Sequence, residues 1–206
     1  VKSDLIDTTG LRARKNRTFG DRGAGEMDSG QYDQQREVFG VSGALALYRA
    51  RALEEVRFKD EFFDQDFFAY KEDVDLAWRL QSAGWDARFV PGALAYHYRG
   101  MYGPEKMGWL ARMKHRRTKS KTRSYYSNRN HWLLLVKNMR LVDAILALPR
   151  VLPLELGRFV YTLLLETTNV RAFFHAIGLF PRMLKKRAQG MSSRKRSAKE
   201  IRKWFV

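Results

Sequence analysis

Two adjacent carboxylates, Glu72 and Asp73, are the residues of this sequence best suited to acid–base chemistry. The pattern EDVDLAWRLQSA from Glu72 onward is typical of an amphipathic helix, with Gly84 as its stop. Both acids therefore stand in a first helical turn, where free backbone N–H groups and the helix dipole favour the ionised carboxylate. A general base needs an anionic oxygen that is held rigidly. Spacing alone leaves the ordinary alternative open, in which the two acids only cap the helix.

Short elements are predicted around this acid pair. Residues 38–48 form an apolar, glycine-punctuated run that is typical of a buried strand, and we expect residues 44–48 to pair centrally in a sheet. Residues 51–56 fit a short helix. Residues 85–90 and 93–98 fit short strands, interrupted by a Pro-Gly pair. The polar segment that precedes all of these elements is expected to be mostly extended loop.

Composition separates the chain into two parts. The formal net charge is +17, but residues 1–100 carry 15 Lys and Arg against 17 Asp and Glu, whereas residues 101–206 carry 24 against 5. A nearly neutral first part is thus followed by a strongly basic one, which suggests a polyanionic partner such as nucleic acid or an anionic membrane. The absence of cysteine excludes disulfides and thiolate metal sites. The hydrophobic content of 45% is enough for a packed core.

Five ordered blocks resemble the family 2 (GT-A type) glycosyltransferases, particularly their bacterial rhamnosyltransferase-like branch, over residues 7–140. The blocks are DRGAGEMDSGQYD, VFGVSGALALYR, FFAYKEDVDLAWRL, GWDARFVPGALAYHYRG and NRNHWLLLVKN. The resemblance implies an α/β fold in which residues 1–105 form the acceptor-side, C-terminal half of a GT-A domain. Residues 106–206 would be a mainly α-helical, basic, amphipathic extension that faces a membrane. The nucleotide-binding half of the enzyme is expected upstream of this chain.

The resemblance also implies roles for individual residues near the acid pair. Asp73 matches the base that deprotonates the acceptor hydroxyl in a single inverting displacement, and Glu72 would orient the acceptor. Gly40, Ser42 and Gly43 match the segment whose backbone approaches the donor and acceptor sugars closely.

Metal and phosphate contacts are likewise implied by the resemblance. His97 matches a histidine that helps to coordinate a divalent metal, Mg²⁺ or Mn²⁺, on the nucleotide diphosphate, although a hydrogen-bonded histidine at a strand end is the alternative. Arg99 is a candidate phosphate contact. Two literal D-x-D sequences, at residues 64–66 and 73–75, do not follow the buried strand that a donor motif should follow. We therefore reject both as the metal motif and expect that motif upstream.

Several interpretations compete for the basic second part: a nucleic-acid surface, a merely solvated face, a partner-helix or oligomer contact, and an anionic membrane surface. Long apolar segments flanked by cations favour the membrane. Arg158, Glu166 and Arg171 interrupt the most apolar stretch, so that spanning would bury charge, and the prolines predict several short helices. The cations expected to reach lipid phosphates are Lys185, Lys186, Arg187, Arg194, Lys195 and Arg196.

The sequence thus predicts a transferase that moves a sugar from a nucleotide-sugar donor to a glycan or lipid-linked acceptor. We expect it on the cytoplasmic, inner face of the cell membrane, and we expect this fragment alone to be inactive. A membrane-tethered scaffold without catalysis and a nucleic-acid-binding module are the alternatives. The Glu72–Asp73 pair with His97 argues against the scaffold, and the nearly neutral first part argues against the nucleic-acid module.

Overall fold

The computed structural model describes residues 4–97 and 120–206. Its strands are β1 (Leu11–Ala13), β2 (Phe19–Asp21), β3 (Glu37–Val38) and β4 (Ala87–Arg88). Its helices are α1 (Ala50–Glu55), α2 (Glu72–Ser82), α3 (Lys121–Asn138), α4 (Leu141–Leu165), α5 (Val170–Gly190) and α6 (Ala198–Arg202). Single 3-10 turns lie at Gln65–Phe67 and Thr167–Asn169.

The strands form two small antiparallel sheets, β1 with β2 and β3 with β4. The hairpin of β1 and β2 lies within the segment that was predicted to be loop. The predicted central strand at residues 44–48 is wrong: this segment has no strand structure, and Leu47 is 99% exposed. The apolar run is buried only at its start, where Val38 and Phe39 enter the core. Apolar composition therefore identified the right run but not how far its burial extends.

The helices next to the acid pair agree with the sequence prediction. Helix α1 occupies the predicted position, and α2 begins at Glu72. Gly84 follows α2 with a φ of 94°, a left-handed conformation that glycine adopts at helix ends without steric cost. The strand predicted at 85–90 is reduced to β4, while residues 93–97 are not a strand.

An aromatic cluster joins the beginning and the end of the chain. The ring of Phe205 lies 5.3 Å from Trp78 on α2, 5.9 Å from Phe19 and 6.0 Å from Phe39, measured between centroids. The backbone N–H of Val206 also donates to the carbonyl of Ala13. Residues on both sides of position 105 thus share one hydrophobic core, to which α3 and α5 contribute as well. The domain boundary at 105/106 stays a prediction.

The prolines do not end helices, contrary to the sequence prediction. Pro149 and Pro153 lie inside α4, and Pro181 lies inside α5. All three are exposed, so the carbonyl groups that lose a partner at each proline are not enclosed within the protein. None of the described helices combines the length and the apolar character that crossing a bilayer requires.

Helix α4 has an inverted polarity. Its inward side carries two buried carboxylates, Asp143 and Glu155. Asp143 pairs with Arg202. Glu155 contacts His131 and Arg158. At 100° per residue, its outward arc is apolar along the whole helix. The exposed residues on this arc are Leu141, Val142, Ile145, Leu146, Leu148, Leu152, Leu156, Val160, Leu163 and Leu164. We call these residues the outer face of α4.

A buried ion network connects the first part of the chain to α3 and α5. Lys137 Nζ lies 2.6 Å from Asp64 Oδ2 and 2.8 Å from Asp75 Oδ2. Lys186 Nζ contacts Asp64 and lies 2.7 Å from Asp66 Oδ2. The side chains of Asp64, Asp75 and both lysines are at most 4% exposed. Opposite charges within this distance largely compensate the cost of removing each ion from water.

Candidate active site

The acid pair lies where a strained loop becomes a helix. Phe68, Tyr70 and Lys71 all have positive φ angles, of 60°, 68° and 70°, and α2 begins directly afterwards at Glu72. Left-handed conformations cost about 1–3 kcal/mol for residues other than glycine. Such strain persists only where the surroundings enforce it, so the position of the acid pair is strongly determined.

The carboxylate of Asp73 is fixed by two backbone donors. The N–H of Gly43 donates to Oδ2 at 3.2 Å, and the N–H of Val74 donates to Oδ1 at 2.8 Å. Burial raises the pKa of Asp73, these two hydrogen bonds offset part of that shift, and the negative charge of Asp21 adds to it. Asp73 is thus an oriented carboxylate with increased basicity, which are the properties required of a general base.

Glu72 and Tyr48 complete the polar surface beside Asp73. Burial and the charge of Asp73 raise the pKa of Glu72, and its Oε2 atom has no hydrogen-bond partner within the described part of the chain. Burial and the charge of Asp73 raise the pKa of Tyr48 to about 12, so its hydroxyl keeps its proton at neutral pH. Tyr48 was not predicted as a site residue, because it lies at the end of a run that was assigned to a strand.

The structure separates the predicted glycine segment into two environments. A Cβ atom on Gly40 would lie 2.2 Å from the Cβ of Ala77, so glycine is needed there for β3 to approach α2. Gly43 lies beside Asp73, and Ser42 is half-buried in the same loop. A sugar contact at Gly40, Ser42 or Gly43 stays a prediction, but packing already explains why residue 40 is glycine.

The predicted metal and phosphate residues are not assembled around Asp73. The Nδ1 atom of His97 lies 3.0 Å from Asp7 Oδ2, and Arg99 lies outside the described residues. Within 4–97 and 120–206, no three His, Asp or Glu side chains converge on a possible metal position. The described residues therefore do not form a metal site by themselves, and we derive no chemical step through a metal.

Three of the four carboxylates in the two D-x-D sequences form internal ion pairs. Asp64 and Asp75 contact Lys137, and Asp66 lies 2.9 Å from Arg182 Nε. The Lys137 ammonium lowers the pKa of Asp75 to about 2 in spite of its complete burial. These three carboxylates are occupied by protein cations, and the rejection of both sequences as the metal motif stays a prediction.

Five of the six cations expected to reach lipid are engaged within the protein. Lys186 belongs to the buried ion network, Arg187 and Arg194 donate to carbonyls at the end of α3, Lys195 pairs with Glu55, and Arg196 pairs with Asp86. Lys185 is exposed. Contact of these five cations with lipid phosphates stays a prediction, because a run of cations in sequence does not show which groups face it in the fold.

Comparison with known proteins assigns the family. The model named "Glycosyl transferase family group 2" matches residues 24–174, which is most of the chain. The chain belongs to this glycosyltransferase family.

Two curated relatives of the glycosyltransferase are N-acetylglucosaminyl-diphospho-decaprenol L-rhamnosyltransferases of Mycobacterium tuberculosis, from strains CDC 1551 / Oshkosh and ATCC 25618 / H37Rv. Each is 40% identical over 65 residues, which cover 32% of this chain and 20% of the relative. The match thus spans about a fifth of the length of these relatives. No solved structure matches the chain.

Two further residues of the glycosyltransferase reach the acid-pair loop from α3. Asn130 and Arg129 hydrogen-bond to carbonyls of residues 66–70, and both side chains are buried. In the sequence, their block NRNHWLLLVKN indicates only the family resemblance. The position of the Arg-Asn pair close to the apolar run WLLLV is the sequence signal that could have pointed to a buried, hydrogen-bonded contact.

Proposed function

We propose that this chain is the acceptor-side part of an inverting glycosyltransferase in which Asp73 is the general base. The observation that carries the proposal is the Asp73 carboxylate at the start of α2, oriented by the N–H groups of Gly43 and Val74. Membership of the glycosyltransferase family supplies the reaction class.

The proposed step is a single displacement. Asp73 takes the proton of an acceptor hydroxyl while that oxygen forms a bond to the anomeric carbon of the donor sugar. The bond from this carbon to the nucleoside diphosphate breaks, and the diphosphate leaves with the electron pair. Because attack and departure occur on opposite faces, the anomeric configuration inverts. Glu72 and the protonated Tyr48 hydroxyl lie beside Asp73 and are suited to orient the acceptor.

The donor side of the reaction is assigned to residues beyond this chain. The matched segment is 32% of this chain but only 20% of each relative, so the relatives are longer than this chain, and that difference in length leaves room for a nucleotide-sugar half. A divalent metal there, with His97 at its edge, remains part of the proposal for the full-length enzyme. The printed name of the relatives describes rhamnosyl transfer to a diphospho-decaprenol-linked sugar. We extend this to a lipid-linked or glycan acceptor for the present protein.

We further propose peripheral attachment to the inner face of the cell membrane through the outer face of α4. In this helix of 25 residues both carboxylates are buried, Arg150 is exposed, and a row of leucines is turned outward, which is unfavourable in water. The same arrangement is favourable at the boundary of headgroups and acyl chains. Attachment there would bring the enzyme to the membrane that holds a lipid-linked acceptor. A homo-oligomer contact is the competing use of this face.

The deciding experiment compares wild type, Asp73→Asn and Asp60→Asn in the full-length enzyme. The amide of Asp73→Asn cannot accept the acceptor proton, so we expect turnover to fall by about 10²–10⁴-fold with donor binding retained. Asp60→Asn is the matched control, since Asp60 is exposed on the segment after α1. Transfer is measured with nucleotide sugar and a polyprenyl-diphosphate-linked acceptor, and donor binding is measured by calorimetry.

Two results would contradict the proposal. Nearly normal turnover in Asp73→Asn would leave Asp73 as a helix cap. Donor binding without any transfer by wild type, across glycan and lipid-linked acceptors, would favour the scaffold.

A further inference from the structure

The loop that precedes Glu72 and Asp73 has a backbone conformation that its own sequence does not favour. Between the 3-10 turn Gln65–Phe67 and Glu72, the loop contains Phe68, Tyr70 and Lys71 at positive φ, and glycine occurs at none of these positions. Helix α2 also starts without a side-chain cap. Some contact from outside the loop must therefore stabilise the conformation that places Asp73.

Asn130 on α3 supplies that contact. Its Nδ2 atom lies 2.8 Å from the carbonyl oxygen of Phe67, 2.7 Å from that of Ala69 and 2.7 Å from that of Tyr70. The side chain is completely buried. One amide group thus binds three backbone carbonyls of the loop, immediately before helix α2 begins.

Arg129 fixes the orientation of this amide. The Nε–H of Arg129 donates to Asn130 Oδ1 at 2.9 Å, which leaves the NH₂ group of Asn130 to face the loop carbonyls. Arg129 itself donates to the carbonyl of Phe67 at 3.1 Å, and its guanidinium lies 4.7 Å from the ring centroid of Tyr126. The Arg129–Asn130 pair is therefore a rigid, fully engaged unit on α3.

We infer that Asn130 is a positioning residue for Asp73, holding the 67–71 loop in the left-handed conformation that aims the catalytic carboxylate. The inference rests on the proposed function of Asp73. Asn130 does not touch the reacting atoms in this scheme; it acts through the loop backbone. Its place on α3 means that the basic second part of the chain takes part in forming the active site.

The test compares Asn130→Ala with Asn138→Ala in the full-length enzyme. Asn138 is the matched control, because it is also buried on α3 but bonds to Asp75 and Leu134 rather than to the loop. We expect kcat to fall about tenfold or more in Asn130→Ala, with the donor KM unchanged, since small misplacements of a reacting group cost large factors in rate. Asn138→Ala should lower the melting temperature without a comparable loss of kcat.

A second-site variant separates positioning from general destabilisation. Glycine adopts positive φ without steric cost, so Lys71→Gly added to Asn130→Ala should recover part of the lost kcat. Lys71→Ala in the same background removes the side chain but keeps the steric cost, and it should not restore kcat. Equal behaviour of the two double variants would overturn the inference.

Hydrogen exchange supplies a readout that does not depend on activity. In Asn130→Ala, the amide protons at the start of α2 should exchange faster, while those of α5 stay unchanged. Unaltered exchange together with an unaltered kcat would show that Asn130 does not position the loop. If exchange is faster in Asn130→Ala but turnover is full in Asp73→Asn, Asn130 does hold the loop, and Asp73 is not the base.

Discussion

The Nζ atom of Lys137 on α3 lies 2.8 Å from Oδ2 of Asp75 on α2, in the interior of the protein. Asp75 is two residues after the proposed base, and its other oxygen accepts from Asn138 Nδ2 at 2.8 Å. Helix α2 is thus attached to α3 by charge as well as by apolar packing. The helix that presents Asp73 cannot shift relative to α3 without breaking a buried ion pair.

Lys137→Met should destabilise the protein strongly. The substitution leaves Asp64 and Asp75 buried without their shared cation, and breaking a buried pair in this way costs about 3–5 kcal/mol. Denaturant unfolding of Lys137→Met and of the exposed control Lys185→Met measures the difference. Equal stabilities would contradict a stabilising role of the network.

The stability contributed by Asp75 should depend on pH with a definite sign. Its pKa is lowered in the folded state to about 2, so its contribution is complete above the ordinary Asp pKa of about 3.9 and is lost as pH falls towards 2. The difference in the free energy of unfolding between wild type and Lys137→Met should therefore be largest at neutral pH and should become smaller in acid. A gap that widens below pH 4 would contradict this assignment.

The acid limb of the transfer reaction should report the raised pKa of Asp73. Burial raises that pKa, so Asp73 takes up its proton at a higher pH than an ordinary Asp does. The loss of kcat/KM on acidification should therefore begin at a correspondingly higher pH. Asp21→Asn removes a nearby negative charge and should move the limb to lower pH. Asp60→Asn should leave it in place. If the acid limb of Asp21→Asn lies at a higher pH than that of wild type, another group limits the rate.

Gly40→Ala should affect folding rather than sugar binding. The new Cβ would lie 2.2 Å from the Cβ of Ala77, and such overpacking costs about 1–3 kcal/mol. Thermal unfolding should show the loss, while the donor and acceptor KM values of the folded fraction stay close to wild type. A raised acceptor KM at unchanged stability would instead support the predicted substrate contact.

Vesicle binding should depend on the outer face of α4. We expect Leu148→Glu/Leu152→Glu to abolish co-sedimentation with vesicles that contain anionic lipid, because both residues are exposed and the new charges would have to enter the interface. Glu substitution of Lys199 and Lys203, two exposed cations near the end of the chain, is the control. It should leave most of the binding intact.

Two outcomes would decide against the membrane. Undiminished binding of the α4 variant would exclude this face as the contact. If the wild-type protein does not bind vesicles but forms dimers, and Leu148→Glu/Leu152→Glu dissociates these dimers, the outer face of α4 is an oligomer contact. Deletion of residues 182–206 is not a usable test, since it removes Met183, Ile201 and Phe205 from the core.

The sequence predicted local elements well where one residue pattern decides the structure. The start of α2 at Glu72 follows from its acids, its apolar period and Gly84, and the structure confirms it. Long-range partners were beyond the sequence. Nothing local shows that Lys186 pairs with Asp64, that Asn130 reaches Tyr70, or that Gly40 meets Ala77. For the same reason, residues 44–48 were assigned to a strand although the described residues offer them no strand neighbour.

The contact between Lys186 and Asp64 has a consequence for how the chain reaches its native state. The two residues are 122 positions apart, and Phe205 enters the aromatic cluster from still further along the chain. Such distant pairings close large loops and therefore slow folding. Folding cannot be completed until the later residues have been synthesised. Until α5 and the residues after α6 have been made, Asp64 lacks Lys186, and Phe39 and Trp78 lack Phe205. We expect the nascent chain to depend on chaperones during this interval, and premature termination anywhere before α6 to yield protein that aggregates.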